Sequence, residues 1–397
     1  MHKTRKVLIV GGFTFSRGEA GSNYVIGFGK ALEAAGFQAE YLAHGRPDDK
    51  LREDFRHFTC HVVPRGPEYR GIKAAIVNLS AAEHGLLEWL AGIPVQQYHA
   101  VIVYPGGEFP FMGLEKLRKL CANKGWKHAV IVGEWQSFDN FNQLRLHNRI
   151  MAVLDSEMQI RVQYKRVANV VSISRFFERY YNTGLCRSVY VPPLVDTSAE
   201  KWRCRSRSNG NGRDLRLLFS GGWWRDRLDL MIKAVAQLRR EGHPVVLEFL
   251  GSDPAEIKTA PGLKELLSSA PQESVHFHGR VPVEQVLPIT ASADFGVLFR
   301  ERARWSDACF PSKLAEFQTL GVPMLCNLTS NLDEVLKDGG NALIVPKLTV
   351  ESFVATVRRA LALPQEAKLR MKERSLECAK REFDYRAYSG TLQGFLN

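Results

Sequence analysis

The side chains best suited to chemistry lie in Cys309–Cys326, C-F-P-S-K-L-A-E-F-Q-T-L-G-V-P-M-L-C. Phe310-Pro311-Ser312 reads as a helix start, with Ser312 as N-cap and Pro311 at or before the first turn. Leu314, Phe317 and Leu320 make an apolar stripe at helical period. Gly321 stops the helix, and 322–326 reads as a short buried strand. A helix starting in a tight loop offers amide N–H groups and a positive dipole end to an anion, and Lys313 adds charge there. Glu316 lies one turn further in, on the same face as Ser312 or Lys313. Its carboxylate accepts hydrogen bonds and suits sugar or ribose hydroxyls better than a phosphate. The same residues also describe an ordinary capped helix with a solvated Lys and Glu, so the rest of the chain decides.

A second anion-type loop, S-G-G-W-W-R-D at 220–226, follows an apolar strand at 216–219 and precedes a helix at 228–240. It contributes Gly221, Gly222 and Arg225; Trp223 and Trp224 either stack on a ring or pack. Strands at 245–250, 274–278 and 294–299 end in Gly251-Ser252-Asp253-Pro254, Gly279-Arg280 and Arg300-Glu301. Four strand ends thus deliver glycines, arginines and polar groups toward one edge. The amino-terminal half opens similarly, with a strand at 6–10, the loop G-G-F-T-F-S-R-G-E-A-G-S-N-Y, a helix at 23–35 and a strand at 38–43. No G-x-G-x-x-G occurs there, so the dinucleotide fingerprint is excluded. Gly12 and Gly21 let backbone approach a ligand or a facing domain, and Arg17 and Asn23 are the polar groups able to touch that ligand. Further apolar runs at 59–63, 100–104, 129–132, 169–173 and 189–191 alternate with helical patterns at 74–91 and 114–123. Ligands of such sheets sit outside the strands' carboxyl ends. That rule singles out Gly107-Glu108 after one strand and Glu134-Trp135 after another. The pattern at 143–164 predicts a long amphipathic helix, to whose Arg145, His147 and Arg149 no role is assigned.

Strands alternating with helices require parallel sheets covered on both faces. A chain of 397 residues, 45% hydrophobic and 24% charged, holds two such domains. Pro192-Pro193 and the basic, Ser/Asn/Gly-rich stretch 198–214 mark the boundary. The expected domains are 1–192 and 193–382, with an aromatic tail at 383–397. No apolar run approaches the roughly 18 residues that span a bilayer. The basic start Met1–Lys6 precedes an apolar run too short for a signal peptide. Seven scattered cysteines without C-x-x-C argue against a disulfide framework or zinc site and for a reducing cytosol. The net charge of +12 favours anionic partners. Through Val195 the chain has 25 Lys/Arg against 17 Asp/Glu, so its first half is the better candidate for an anionic membrane surface or a phosphorylated acceptor. The arginines of 198–214 lack interleaved aromatics beyond Trp202, and no nucleic-acid partner is expected.

Four pieces in order carry a resemblance: G-G-F-T-F-S-R-G-E-A-G-S-N, S-G-G-W-W-R-D-R-L-D-L-M-I-K-A, G-R-V-P-x-E-x-V with A-D-F-G-V-L-F-R-E, and C-F-P-S-K-L-A-E-F-Q-T-L-G-V-P. The chain resembles the retaining glycosyltransferases of family 4, the glycosyl transferases group 1, and within them the bacterial enzymes of surface-polysaccharide assembly. The resemblance implies an α/β GT-B fold, two Rossmann-like αβα domains facing across a cleft, with acceptor on the first and nucleotide sugar on the second. It makes Glu316 the acid on the donor ribose. It puts the donor diphosphate at Phe310, Pro311, Ser312, Lys313, Arg225, Gly221 and Gly222, and the base at the backbone of Arg280-Val281. The Gly11–Gly21 loop, with Gly12 and Gly21 on the donor, would face the phosphates and acceptor, where Arg17, Asn23, Gly107, Glu108 and Trp135 are acceptor-side candidates. Glu134, Arg225 and Lys313 are the catalytic candidates.

Departures are visible: the family's first glutamate, eight residues before Glu316, is Ala308 here, with Asp307 one place off, and Gly133-Glu134 replaces the usual histidine. The implied reaction moves a sugar from a nucleotide diphosphate to a growing glycan or lipid-linked acceptor with retention, in the cytoplasm or at the inner face of the plasma membrane. It uses no cofactor, and the absence of D-x-D speaks for metal independence. Two alternatives stand beside it: a sugar-nucleotide epimerase of the same fold, and a non-catalytic nucleotide- or nucleic-acid-binding protein.

Overall fold

In the computed structural model the continuous apolar runs become parallel strands. Residues 5–15, 19–45, 52–64, 83–105, 108–141, 145–204, 214–222, 225–260 and 262–397 are described. The chain divides into two units: Met1–Leu194 with Ala308–Phe310 and Tyr385–Asn397, and Val195–Asp307 with Pro311–Asp384.

Unit 1 holds β1 (Arg5–Gly11), β2 (Phe37–Gly45), β3 (Thr59–Pro64), β4 (Ala100–Tyr104), β5 (Lys127–Val132), β6 (Asn169–Ser172) and β7 (Arg187–Tyr190). Their order is β3-β2-β1-β4-β5-β6-β7, all parallel. Unit 2 holds β8 (Leu215–Ser220), β9 (Val245–Leu250), β10 (Val275–Gly279), β11 (Phe295–Leu298), β12 (Met324–Cys326) and β13 (Ala342–Ile344). Their order is β10-β9-β8-β11-β12-β13, also parallel. In each sheet the order reverses beside the first strand, between β1 and β4 and between β8 and β11. Loops leaving the carboxyl ends diverge at such a point, and a ligand fits between them.

Alternation along β1 shows why both faces are covered. Val7 and Ile9 join a core built from the helix Ala20–Ala34 and the C-terminal Leu392, Phe395 and Leu396. Leu8 and Val10 point into the opposite core with Leu86, Leu117 and Phe177. In unit 2, Leu217 and Phe219 pack with Met231, Val235 and Phe353 from the helices Leu228–Arg240 and Val350–Leu361. The segment expected as a short tail forms a turn of 3₁₀ helix (Tyr385–Tyr388) and the helix Ser389–Leu396. His99 and Lys127 donate to Leu396 O at 2.8 and 2.6 Å, which fastens its end.

Two readings change, and a third is described only in part. The helix predicted over 143–164 begins at Leu146, passes through a π turn at Gln159–Gln163 and ends at Val167. The extra residue of a π turn rotates the face that follows; here Ile160, Gln163, Tyr164 and Val167 turn inward. Of the pattern at 74–91, only 83–91 falls among the described residues, and it is helix. Of the linker at 198–214, Glu200–Trp202 is a 3₁₀ turn whose Trp202 Nε1–H donates to Asp196 O at 2.7 Å, while 205–213 lies outside the described residues.

The two sheets carry the same ionic clasp. On β2, Glu40 accepts from Lys6 of β1 (2.6 Å), His61 of β3 (3.1 Å) and Tyr98 (2.7 Å). On β9, Glu248 accepts from Arg216 of β8 (2.6 and 2.9 Å) and His278 of β10 (2.8 Å). Burial alone would raise both carboxyls, but these donors outweigh it and hold them below the usual range. The clasp sets the first three strands of each sheet side by side.

Buried groups also fix how stability depends on pH. His128 on β5 is 6% exposed, and neither ring nitrogen has a partner among the described residues. Burial, helped by Arg118, pushes its pKa down from 6.5 to about 4. A depressed histidine favours the neutral form, so this stability is complete above about pH 6.5 and lost as pH falls toward 4. The full loss is on the order of 3 kcal/mol. Below that, Glu40 and Glu248 lose theirs as they protonate. His128→Leu should therefore flatten the fall in melting temperature between pH 6.5 and 4; an unchanged fall would assign it to other groups.

Candidate active site

The carboxyl edge of the second sheet gathers the residues singled out from sequence. Gly221 leaves β8 with φ +130°, a backbone conformation that L side chains rarely adopt. Its N–H donates to Leu250 O at 3.2 Å, and its carbonyl accepts from Ser252 Oγ at 2.7 Å. Gly221 therefore ties the ends of β8 and β9 together, and its amide is not available to a phosphate. Gly222 is exposed. Trp223 and Trp224 lie outside the described residues. Gly251 N–H donates to Gly279 O at 2.9 Å, which continues the tie to β10.

Across the switch point, the loop after β8 is locked to the loop after β11. Asp226, whose side chain is 1% exposed, accepts from Phe299 N–H at 3.1 Å and from Arg300 Nε at 3.2 and 3.3 Å. Burial outweighs Arg300 and raises its carboxyl above the usual range. Arg227 N–H donates to Phe299 O at 2.7 Å, and its guanidinium forks onto Asp229 at 2.8 Å twice and reaches Glu301 at 2.9 Å. Asn327, just past β12, clamps the Arg300 backbone from both sides, accepting from its N–H at 2.9 Å and donating to its carbonyl at 2.8 Å. Arg225 sits next to this anchor, half-buried. Sequence reading placed Asp226 in the loop after β8 and Arg300 at a strand end without pairing them, and it missed Asn327.

The opening stretch forms a helix at Lys313–Thr319, with Leu314 and Phe317 buried. Gly321, at φ +68°, ends it, and Val322 N–H returns to Phe317 O at 2.9 Å. Ser312 corrects the expected cap: it is itself helical at φ −58° and ψ −31°, and its side chain makes no capping bond. Leu314 N–H turns back to Pro311 O at 3.0 Å instead. Two turns of helix carry a weak dipole, and Pro311 has no N–H, so side-chain charge must do most of the work with an anion. Lys313 Nζ and Glu316 Oε2 are 2.9 Å apart, with side chains 39% and 18% exposed. A half-exposed pair of this kind is worth little, so each partner can exchange the other for a ligand at low cost.

Other candidates sit differently. Phe310 is 2% exposed and falls with Ala308 in unit 1, so its ring is buried. The Arg280 side chain is 72% exposed and paired with Glu256 at 2.6 Å, which leaves the strand-end backbone at Arg280-Val281 to meet a base. Asp307, the neighbour of the missing glutamate, accepts from Ser330 N–H at 3.2 Å and lies 3.6 Å from Arg302.

At the switch point of unit 1, Tyr104 takes the room expected for a ligand. A Cβ on Gly11 would meet Tyr104 O at 1.8 Å, and one on Gly21 would meet its hydroxyl at 3.0 Å. Gly12 N–H donates to Tyr104 O at 3.3 Å, so Gly12 is withdrawn as a phosphate donor. Both guanidinium ends of Arg52 donate to Asn23 Oδ1 at 3.2 Å. Glu134 is exposed at the end of β5, whereas Trp135 is 6% exposed, stacked on Phe177 and donating to Glu157 at 2.7 Å. Trp135 is thus a packing residue and not an acceptor contact. Glu108 is 7% exposed; Arg17 and Gly107 lie outside the described residues.

Comparison with known proteins follows the same division. Residues 214–362 match the family profile of the glycosyl transferases group 1. No curated protein sequence matches. Among solved structures, sucrose-phosphate synthase from Thermosynechococcus elongatus is 15% identical, with a TM-score of 0.70 over 98% of this chain and 97% of that one. Anabaena HepE, solved with UDP and glucose, is 12% identical, with a TM-score of 0.67 over 99% of both chains. The lipopolysaccharide outer core galactosyltransferase WaaB is 14% identical, with a TM-score of 0.63 over 98% and 99%. Residues 214–362 of the second unit are thus similar to the glycosyl transferases group 1, and the fold of the chain is that of the GT-B glycosyltransferases.

Proposed function

We propose that the protein transfers a sugar from a nucleoside diphosphate sugar to a growing glycan or lipid-linked acceptor, with retention, in cell-surface polysaccharide synthesis. The observation that carries the donor reading is the loop after β8, held across the switch point by Asp226 with Arg225 beside it. The family match spans this edge. Arg225 and Lys313 bind the diphosphate, Glu316 the ribose, and the backbone at Arg280-Val281 the base. HepE was solved with UDP, which makes uridine diphosphate sugars the first donors to try.

In the reaction the bond from the anomeric carbon to the diphosphate breaks while the acceptor oxygen bonds to the same face. The acceptor's proton passes to the departing phosphate oxygen. Negative charge grows on the diphosphate, and Arg225 and Lys313 are charged before it arrives, so little reorganisation is needed. This role needs no metal. In unit 1, Glu134 remains a catalytic candidate, and Asn23 and Glu108 remain acceptor-side candidates.

Incubation of the chain with uridine diphosphate sugars and a polyprenyl-diphosphate-linked sugar, followed by mass spectrometry, tests this reading. The expected product is a longer acceptor plus the free diphosphate, formed equally in chelator. A new epimer of the donor without acceptor would assign the epimerase activity instead.

A further inference from the structure

The helix Leu146–Met158 of unit 1 has no buried residue. Leu146, Ile150, Met151 and Leu154 are 66%, 45%, 43% and 57% exposed, and their spacing puts them on one outward face. A solvated helix does the opposite and turns its apolar stripe inward. Polar contacts hold the inner side here: Asp155 accepts from Phe111 N–H at 2.6 Å and from Gln159 Nε2 at 2.7 Å. Within the π turn the outward side chains are Arg161 and Val162, and beyond it Lys165 and Arg166. Beside the helix start, Phe138 is 41% exposed under the Arg149 guanidinium, 3.5 Å from its ring centre.

The charges are sorted the same way. Residues 145–166 carry five basic groups and two acids. Both acids are engaged with the protein, Asp155 as above and Glu157 by Trp135 Nε1–H at 2.7 Å and by Arg161. The outward face is therefore apolar and cationic together, with Asp155 bonded inward and Glu157 shared between Trp135 and Arg161. Unit 1 carries 26 Lys/Arg against 17 Asp/Glu, so its wider field has the same sign. Apolar residues that enter the headgroup boundary, rimmed by bases that meet phosphates, are what an interfacial helix needs. A second copy of this face would bring its own positive charges opposite these.

We infer that the outward face of Leu146–Arg166 docks on an anionic lipid bilayer, with Leu146, Ile150 and Leu154 entering it and Arg145, Lys165 and Arg166 on lipid phosphates. This deepens the transferase reading by naming the surface at which a membrane-carried acceptor is met, yet it stands on unit 1 alone.

Flotation of the full chain with vesicles tests it. Wild type should float with phosphatidylglycerol/phosphatidylcholine vesicles at 0.1 M salt, roughly one Debye length of 10 Å, and not with phosphatidylcholine alone. Ile150→Ser with Leu154→Ser, and separately Arg145→Glu with Arg166→Glu, should each cut partitioning by at least about tenfold at unchanged melting temperature. Leu146→Ser, at the most exposed of these positions, serves if a double variant melts early. Failure of wild type to float, or variants that float like wild type, would overturn the inference. So would a dimer in light scattering that Ile150→Ser with Leu154→Ser abolishes, because it assigns the face to a second copy. UDP binding measured on the same samples separates this outcome from failure of the donor reading.

Discussion

Arg225→Ala lowers turnover at saturating donor by about 10²–10³-fold, the cost of removing one preorganised donor to a developing anion. The expectation follows from position. Arg225 adjoins Asp226, whose contacts with Phe299 and Arg300 fix the loop at the switch point. A guanidinium there presents two N–H groups to a diphosphate in a fixed fork, so Arg225→Lys recovers only part of the rate. Glu316→Ala should act differently. Its carboxylate meets the ribose, away from the bond that breaks, so the loss appears chiefly as a raised KM for donor, with kcat less affected. Steady-state kinetics separate the two, and melting temperatures near wild type show that neither acts through the fold. Equal kcat for wild type and Arg225→Ala would remove Arg225 from the leaving-group role.

Asp226→Ala destabilises the second unit by roughly 3–5 kcal/mol, because it leaves a buried cation without its counter-charge. Arg300 is 13% exposed in side chain, and Asp226 also receives the Phe299 N–H, so both lose their acceptor at once. The raised carboxyl sharpens the expectation. Since part of the cost of charge burial is relieved on protonation, Asp226→Asn, which keeps shape and an acceptor, should cost clearly less than Asp226→Ala. Urea unfolding of the two variants measures the difference. A cost below about 1 kcal/mol for Asp226→Ala would mean that the pair behaves like a solvated one.

Strands were legible where both faces are buried, because a run such as Val7–Val10 has no polar interruption and cannot be anything else at that length. The alternation of such runs with helices carried the α/β class. What could not be read was anything decided by a partner far along the chain. Ser312 stands where an N-cap is expected, just after a proline and before an apolar stripe, yet the first turn closes on Pro311 O and the Ser312 side chain caps nothing. Gly12 and Gly21 looked like room for a ligand; the occupant is Tyr104, three strands further along the sequence but adjacent across the switch point. Glu134 and Trp135 are neighbours at one strand end, and only packing against Phe177 shows that the second turns inward. Asp226 with Arg300, and Glu40 with Lys6 and His61, join neighbouring strands of a sheet whose order local pattern does not state. Periodicity at 143–164 likewise announced an apolar face without saying that it points outward.

The central claim is a diphosphate site at the carboxyl edge of the second sheet, built from side-chain charge and working without metal. Calorimetric titration of the full chain with UDP in chelator tests it most directly. The account predicts saturable binding by wild type, with about 2.7 kcal/mol of added stability at 100 times the dissociation constant. It predicts binding at least tenfold weaker in Arg225→Ala and Glu316→Ala, each near 1.4 kcal/mol or more. No binding of any nucleoside diphosphate by a folded wild type, or undiminished binding by both variants, would contradict it.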